Sequence, residues 1–282
     1  FVFGPGGLLQ DETGIWNLPY HLRRLRPVRR AGIPWAGIGL GADGLITDRG
    51  RSRVGRTLVG HTAIAVRDEP SAEALRALGV DRVVRAADLA FLAEPPTVSR
   101  DGVLGVCLRA PQSGRLRPGA LDAGRSWPDD RAAALATALD DTCRATGLTT
   151  RFVALDAPAD SVVHRQVADQ MTTPAEVVEP DLDGVVGALA RVDAVATMRY
   201  HGAVLAALGG AAVVALPHSP KLRSLAADLG PGATVHDGEA DGLAAAVSNV
   251  LAGRSHLADA VDRLRTLAGR NVEVLDGLLG AA

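Results

Sequence analysis

At 282 residues the chain is long for one hydrophobic core and fits two domains of ordinary size. Hydrophobic residues make up 47% and charged residues 22%, the balance of a soluble globular protein, and a formal net charge of −2 argues against nucleic acid as the main partner. Aromatics are only 3%, so the core must be built from Ala, Val and Leu. Cys107 and Cys143 are too few for a disulfide framework or a zinc site and read as reduced, buried thiols of a cytoplasmic protein. No apolar run approaches the roughly 20 residues of a membrane span, and no signal-peptide pattern is present. The chain starts at Phe1, inside an apolar run and not at a Met, which leads us to expect a further amino-terminal piece.

Phe1 to Phe3 reads as the end of a buried strand running into Gly4, Pro5, Gly6 and Gly7, a turn that lets backbone approach a ligand closely. It is not a GxGxxG fingerprint, and no P-loop lysine follows. Residues 17–31 predict a helix with an Arg-rich outer face (Arg23, Arg24, Arg26, Arg29, Arg30), interrupted by Pro27. Strands are predicted at 33–38, 62–66 and 80–84, with helices at 49–58 and 70–78. The stretch 94–101 is polar and aperiodic and marks a domain boundary.

The pattern then restarts. Strands are predicted at 103–108, 150–155, 176–178, 194–198 and 211–216, and helices at 128–146, 160–171, 182–191, 203–208 and 221–229, with a Gly-, Arg- and Pro-rich loop over 112–126 and a mostly helical remainder. Such alternation defines an α/β fold of two Rossmann-like domains facing a cleft, with 1–97 as an incomplete first domain and 98–282 as the second, carrying carboxyl-terminal helices.

The strand ends carry the polar groups. Asp11 follows the glycine turn, Arg67 and Asp68 end one strand, and Asp88 ends another. In the second half Arg109, the Arg199–His201 pair and the His218–Lys221 loop follow strands. Basic groups thus gather on the second domain and acidic ones on the first, which suits an anionic donor on the former and a hydroxyl-bearing acceptor beside the latter. Arginine forks match carboxylate and phosphate, a helix amino end attracts anions, and an imidazole can exchange a proton near neutrality. Asp68 has an alternative role as partner of a neighbouring Arg, and Asp88 as a helix cap.

Several stretches together resemble the polysaccharide pyruvyl transferase family: GPGGLLQD near the start, AGIGLG at 36–41, AVRDEPSAEALRALGV from Ala65, AADLAFL from Ala86, GVCLR from Gly105, and DAVATMRYHGAVLAALGGAAVVALPHSPKL from Asp193. Pro5 stands where the family usually has Gly, and Tyr200 where it has Leu. The resemblance implies a glycosyltransferase-B type fold with no metal requirement. It implies transfer of pyruvate from phosphoenolpyruvate, as co-substrate, to two hydroxyls of one sugar in a cell-wall polysaccharide, exopolysaccharide or lipid-linked glycan, as a cyclic ketal, with peripheral membrane contact through the acceptor. Arg109, Arg199 and Lys221 would then bind the donor, His201 would act as catalytic acid or base, Asp11 or Asp68 would be the second proton carrier, and Gly6, Gly7 and Gln10 would face the acceptor. The competing readings are a nucleotide-sugar glycosyltransferase on the same architecture and a non-catalytic carbohydrate-binding homologue.

Overall fold

The computed structural model describes residues 1–12, 14, 16–94, 96–110, 126–216, 220–237 and 240–280. The expected 112–126 loop (bar its last residue) and His218 lie outside the described residues. The chain divides into two compact units, the first comprising Phe1–Ala93 and the segment from Asp262 onward, the second running from Glu94 to Val261 apart from part of the loop.

In the first unit, β1 (Val2–Phe3), β2 (Ala36–Leu40), β3 (Ile64–Val66) and β4 (Val83–Arg85) form a parallel sheet in that order. The helical run after β1 is α1 (Asn17–Arg23) and α2 (Leu25–Arg30). It breaks at Arg24, whereas Pro27 sits inside α2 at its third position, where a missing N–H costs no intrahelical bond. The five arginines of this run are exposed, while Leu18, Leu22, Leu25 and Val28 are buried in the core with Phe3, Trp35 and Leu40. Next come α3 (Asp48–Thr57), capped by Thr47, and α4 (Glu69–Ala77), capped by Asp68.

The second unit holds β5 (Val103–Cys107), α5 (Asp129–Thr146), β6 (Thr149–Val153), α6 (Ala157–Ala168), β7 (Ala175–Val178), α7 (Leu182–Ala190), β8 (Ala194–Thr197), α8 (Tyr200–Leu208), β9 (Ala212–Ala215), α9 (Pro220–Leu229), β10 (Ala233–Val235) and α10 (Leu243–Ala252). Its six strands are parallel in the order β10-β9-β8-β5-β6-β7. Counted from β5 this is the Rossmann order 3-2-1-4-5-6, and the direction of winding reverses between β5 and β8. Leu104, Val106 and Leu108 turn to a core shared with Leu135, Leu139, Val163, Val167 and Val247 from α5, α6 and α10. Gly105 faces the other way, where an added Cβ would lie 3.0 Å from Val192.

The closing helix, α11 (Leu257–Gly280), differs from the sequence expectation of a second domain running to 282: from Asp262 its residues belong to the first unit. Val274 and Leu278 pack with Ala36, Ile38, Ala65 and Ala86. Asn271, fully buried, donates Nδ2 to the Ala87 carbonyl (3.1 Å), and its Oδ1 accepts from the Gly39 N–H (2.8 Å). The β2–β3 register shifts between Gly37 and Leu40, and Gly39 has φ +56°, so its N–H turns out of the ladder and the helix supplies the acceptor.

Candidate functional site

In doubly wound sheets ligands sit beyond the carboxyl ends of the strands, at the point where winding reverses. Here that point lies between β5 and β8, whose last residues Cys107 and Thr197 are register partners. Arg109 and Arg199 each lie two residues past this pair, so two sequence-predicted cations occupy equivalent positions on neighbouring strands. The Arg109 carbonyl accepts from the Trp127 indole Nε1 (3.1 Å), which fixes the chain there. Lys221, the only lysine, opens α9 after β9.

Arg199 is the N-cap of α8, with no side-chain cap on that helix. First-turn N–H groups therefore stay directed out of the helix end. Its guanidinium is not wholly available to a ligand, as the sequence expectation had it. Nε donates to Asp160 Oδ2 (3.1 Å) and Nη2 to Asp160 Oδ1, with Asp156 Oδ2 3.7 Å from Nη2. Asp160 is fully buried and also accepts from the Leu155 N–H (3.2 Å) and Asp156 N–H (3.0 Å). The pair leaves the Nη1 edge of Arg199 for a ligand and sets the plane of the fork.

His201 is exposed and stands against Tyr200, ring centroids 5.5 Å apart and nearly perpendicular. It lines a pocket of about 490 Å³ with Leu155, Asp181, Leu182, Val185 and Leu205. Arg199 is not among the described residues of that lining. Leu155 joins the two, its side chain lining the pocket and its N–H held by Asp160. Tyr200, where the family has Leu, is buried and so fills the same kind of space.

Gly202 brings α8 against the strand ends: an added Cβ would lie 2.6 Å from Thr197 Oγ1 and 3.3 Å from Cys107 Sγ. Gly202→Val is expected to cost about 1–3 kcal/mol by overpacking, and to weaken any anion site at this helix end. Urea unfolding of the variant checks the first effect and ligand titration the second. Burial pushes the Cys107 thiol up to about 12, so it is no thiolate nucleophile.

The sequence reading missed His164. It is fully buried on α6, one turn from Asp160, and its Nε2 accepts from the Leu108 N–H (3.0 Å), tying the end of β5 to α6. Its Nδ1 must then carry the hydrogen, and that atom has no partner. Burial pushes its pKa down to about 4. The unfolded imidazole protonates near 6.5. The unfolded state thus binds the proton first as pH falls, so this contribution to stability is complete above about 6.5 and is lost progressively towards pH 4, by on the order of 3 kcal/mol. In His164→Gln, chemical denaturation between pH 7 and 4 is expected to show a shallower acid loss than in the parent. The signal available in the sequence was a His four residues after an Asp on an otherwise apolar helix stripe.

In the first unit the glycine turn runs beside β2, with the Gly6 N–H donating to the Gly39 carbonyl and the Gly41 N–H to the Gly6 carbonyl (both 3.0 Å). Arg67 is buried over this backbone: an added Cβ on Gly41 would lie 2.6 Å from its Nη2, and one on Gly7 3.8 Å from the same atom. Arg67 pairs with Asp43 (3.3 Å) and Asp68 (3.4 Å). Asp68 Oδ1 also accepts the Ser71 N–H (2.8 Å), so both oxygens of this buried carboxylate are engaged. Asp68 thus caps α4 and neutralises Arg67, the alternative role the sequence offered for it. Asp88 caps a short helical turn through the Ala90 N–H (3.1 Å). Asp11 also acts on backbone, its Oδ1 accepting from the Ile46 N–H (2.9 Å) and its Oδ2 from Thr47 Oγ1, and it borders a cavity. The Gln10 carbonyl accepts from Asn17 Nδ2 (3.2 Å). Among the described residues no cluster of His, Cys, Asp and Glu is arranged to hold a metal ion, and no helix is long and apolar enough to cross a membrane.

Solved structures that the chain is similar to include GT-B glycosyltransferases and sugar-nucleotide epimerases, and the chain shares their α/β architecture of two Rossmann-like domains. A putative UDP-N-acetylglucosamine 2-epimerase from Listeria monocytogenes matches with TM-score 0.60 and 12% identity over 93% of this chain and 72% of that one. UDP-glucose: anthocyanidin 3-O-glucosyltransferase in complex with UDP matches at 0.57 and 12%, over 93% and 74%. TarM matches at 0.52 and 10%, over 88% of this chain and 50% of its own, so the chain spans half of TarM's length. No curated protein matches the sequence. Identities this low show the fold and nothing finer. The family is shown by the sequence itself: the profile of the polysaccharide pyruvyl transferases matches residues 1–220, and the chain belongs to that family of transferases.

Proposed function

We propose that the protein transfers pyruvate from phosphoenolpyruvate to a sugar of a polysaccharide or lipid-linked glycan. The observation that carries this reading is the placement of Arg109 and Arg199 at equivalent positions past the paired ends of β5 and β8, in a chain of this family. Phosphoenolpyruvate concentrates carboxylate and phosphate on few atoms, and two guanidinium groups with an uncapped helix end supply what such an anion needs. Asp160 holds Arg199 side-on, so that the Nη1 hydrogens meet the donor without first having to be ordered.

The chemistry is addition of two hydroxyls of one sugar to the central carbon of the donor. The methylene carbon gains a proton, two C–O bonds form at the central carbon, the bond from the central carbon to the phosphate oxygen breaks, and inorganic phosphate leaves with the balancing proton. In this reading His201 delivers the proton to carbon, and Asp11, which borders a cavity of the first unit, is the second proton carrier.

The test is phosphate release from phosphoenolpyruvate in the presence of a glycan acceptor, preceded by thermal shifts with phosphoenolpyruvate, UDP and UDP-N-acetylglucosamine, since a ligand of the native state raises its melting temperature. Stabilisation by phosphoenolpyruvate with acceptor-dependent phosphate release is the expected result. Stabilisation by the UDP ligands alone would move the chain to nucleotide-sugar chemistry.

A further inference from the structure

The first unit contains a cavity of about 450 Å³ that the donor site does not use. It lies where the chain leaving β1 meets the chain leaving β2, on the carboxyl-end side of the sheet, and its lining includes Asp11, Trp16, Leu18, Thr47, Arg49 and Arg53. That volume falls within the range of about 300–1,000 Å³ usual for small-molecule sites.

Three observations point to its occupant. Trp16 is 61% exposed, whereas the other two tryptophans, Trp35 and Trp127, are 1% and 4% exposed. An indole left in water at the rim of a cavity offers a flat apolar face with a polar edge, the kind of surface on which a sugar ring rests. Arg49 and Arg53 lie one turn apart on α3, and neither has a hydrogen bond or an ion pair. Their helix neighbours do: Arg51 pairs with Asp48 (3.7 Å), and Arg56 bonds Ser52. Two like charges at this spacing repel, and they line one cavity with no carboxylate paired to them. The wall behind them is fixed, since Asp11 is held by the Ile46 N–H (2.9 Å) and Thr47, and Gly50 packs so closely on Asp11 that no side chain fits between.

We infer that this cavity binds a pyranose bearing an anionic group, a phosphate or a carboxylate, with the ring on Trp16 and the anion on Arg49 and Arg53. Under the transferase reading this makes the acceptor an anionic sugar unit; only the word acceptor rests on that reading, and the binding itself does not.

The experiment is calorimetric and tryptophan-fluorescence titration of the whole chain with glucose 1-phosphate, glucuronate, glucose and inorganic phosphate. At least one of the two anionic sugars is expected to bind ten-fold or more tightly than glucose and than inorganic phosphate, and which of them does so identifies the anion. Arg49→Gln with Arg53→Gln should bring that affinity down to the level of glucose, and Trp16→Ala should remove the fluorescence change, both at unchanged melting temperature. The inference is overturned if anionic and neutral sugars bind alike, if the double variant binds as the parent does, or if inorganic phosphate binds as tightly as glucose 1-phosphate and survives Trp16→Ala. Phosphoenolpyruvate shifts in the same double variant keep the two readings apart. A retained shift with no sugar binding defeats this inference alone, and sugar binding without any shift defeats the transferase reading alone.

Discussion

Arg199→Met is expected to cost about 3–5 kcal/mol of stability and to abolish phosphate release. Asp160 has no exposed surface, and the guanidinium neutralises it through two hydrogen bonds. Removing the cation leaves a buried carboxylate with only the Leu155 and Asp156 N–H groups, so the cost comes from the abandoned partner more than from the lost bond. The double variant Asp160→Asn with Arg199→Met removes both charges and should recover more than half of that loss, as replaced pairs commonly do. Urea denaturation measures the three stabilities. The double variant also separates structure from chemistry. If it folds but no longer releases phosphate, Arg199 acts on the donor; if it folds and turns over at the parental rate, Arg199 is a strut for α6 and nothing more. Asp160→Asn alone should raise KM for phosphoenolpyruvate with a smaller change in kcat, because it loosens the orientation of the fork and leaves the fork's charge.

His201→Ala should lower kcat by about 100- to 10,000-fold, the usual contribution of one positioned acid or base. Its stability should stay within about 0.5 kcal/mol of the parent, since the side chain is exposed. Steady-state phosphate release and thermal unfolding check the two halves of this expectation. An unchanged kcat would remove His201 from the reaction and leave it as one wall of an apolar pocket.

The strand–helix alternation was legible because each buried strand of the second unit is an unbroken apolar run followed by a helical period, as at Val103–Cys107 and Ala194–Thr197. The strand-end cations Arg109 and Arg199 were legible for the same reason, since the end of such a run fixes where the next side chains emerge. Their partners were not. Asp160 lies 39 residues before Arg199, on a helix whose phase the sequence leaves open. His164 sits on an apolar stripe with Val163 and Val167, where a core role and a functional one have the same pattern. The alternative reading of Asp68 as a partner for an arginine is the one the geometry supports, because Arg67 is adjacent and the residue stands at a helix start. The position of α11 was invisible for another reason: its apolar face is compatible with either unit, and the polar contacts that tie it to the first, Asn271 with Gly39 and Ala87 and Arg265 with the Phe91 carbonyl, join residues far apart in sequence.

The Asn271 clamp has a consequence for the order in which the chain matures. Residues reach the ribosome exit in sequence, so these strands of the first unit emerge ahead of the second unit, yet Ala36, Ile38 and Ala65 wait for Val274 and Leu278 to cover them. Until α11 has emerged the Gly39 N–H lacks its Asn271 acceptor and one face of that sheet stays wet. The second unit, contained between Glu94 and Val261, has all its strands in hand earlier. Of the two units, the one begun earlier is therefore completed later, and the second unit is synthesised while that face is in need of a chaperone.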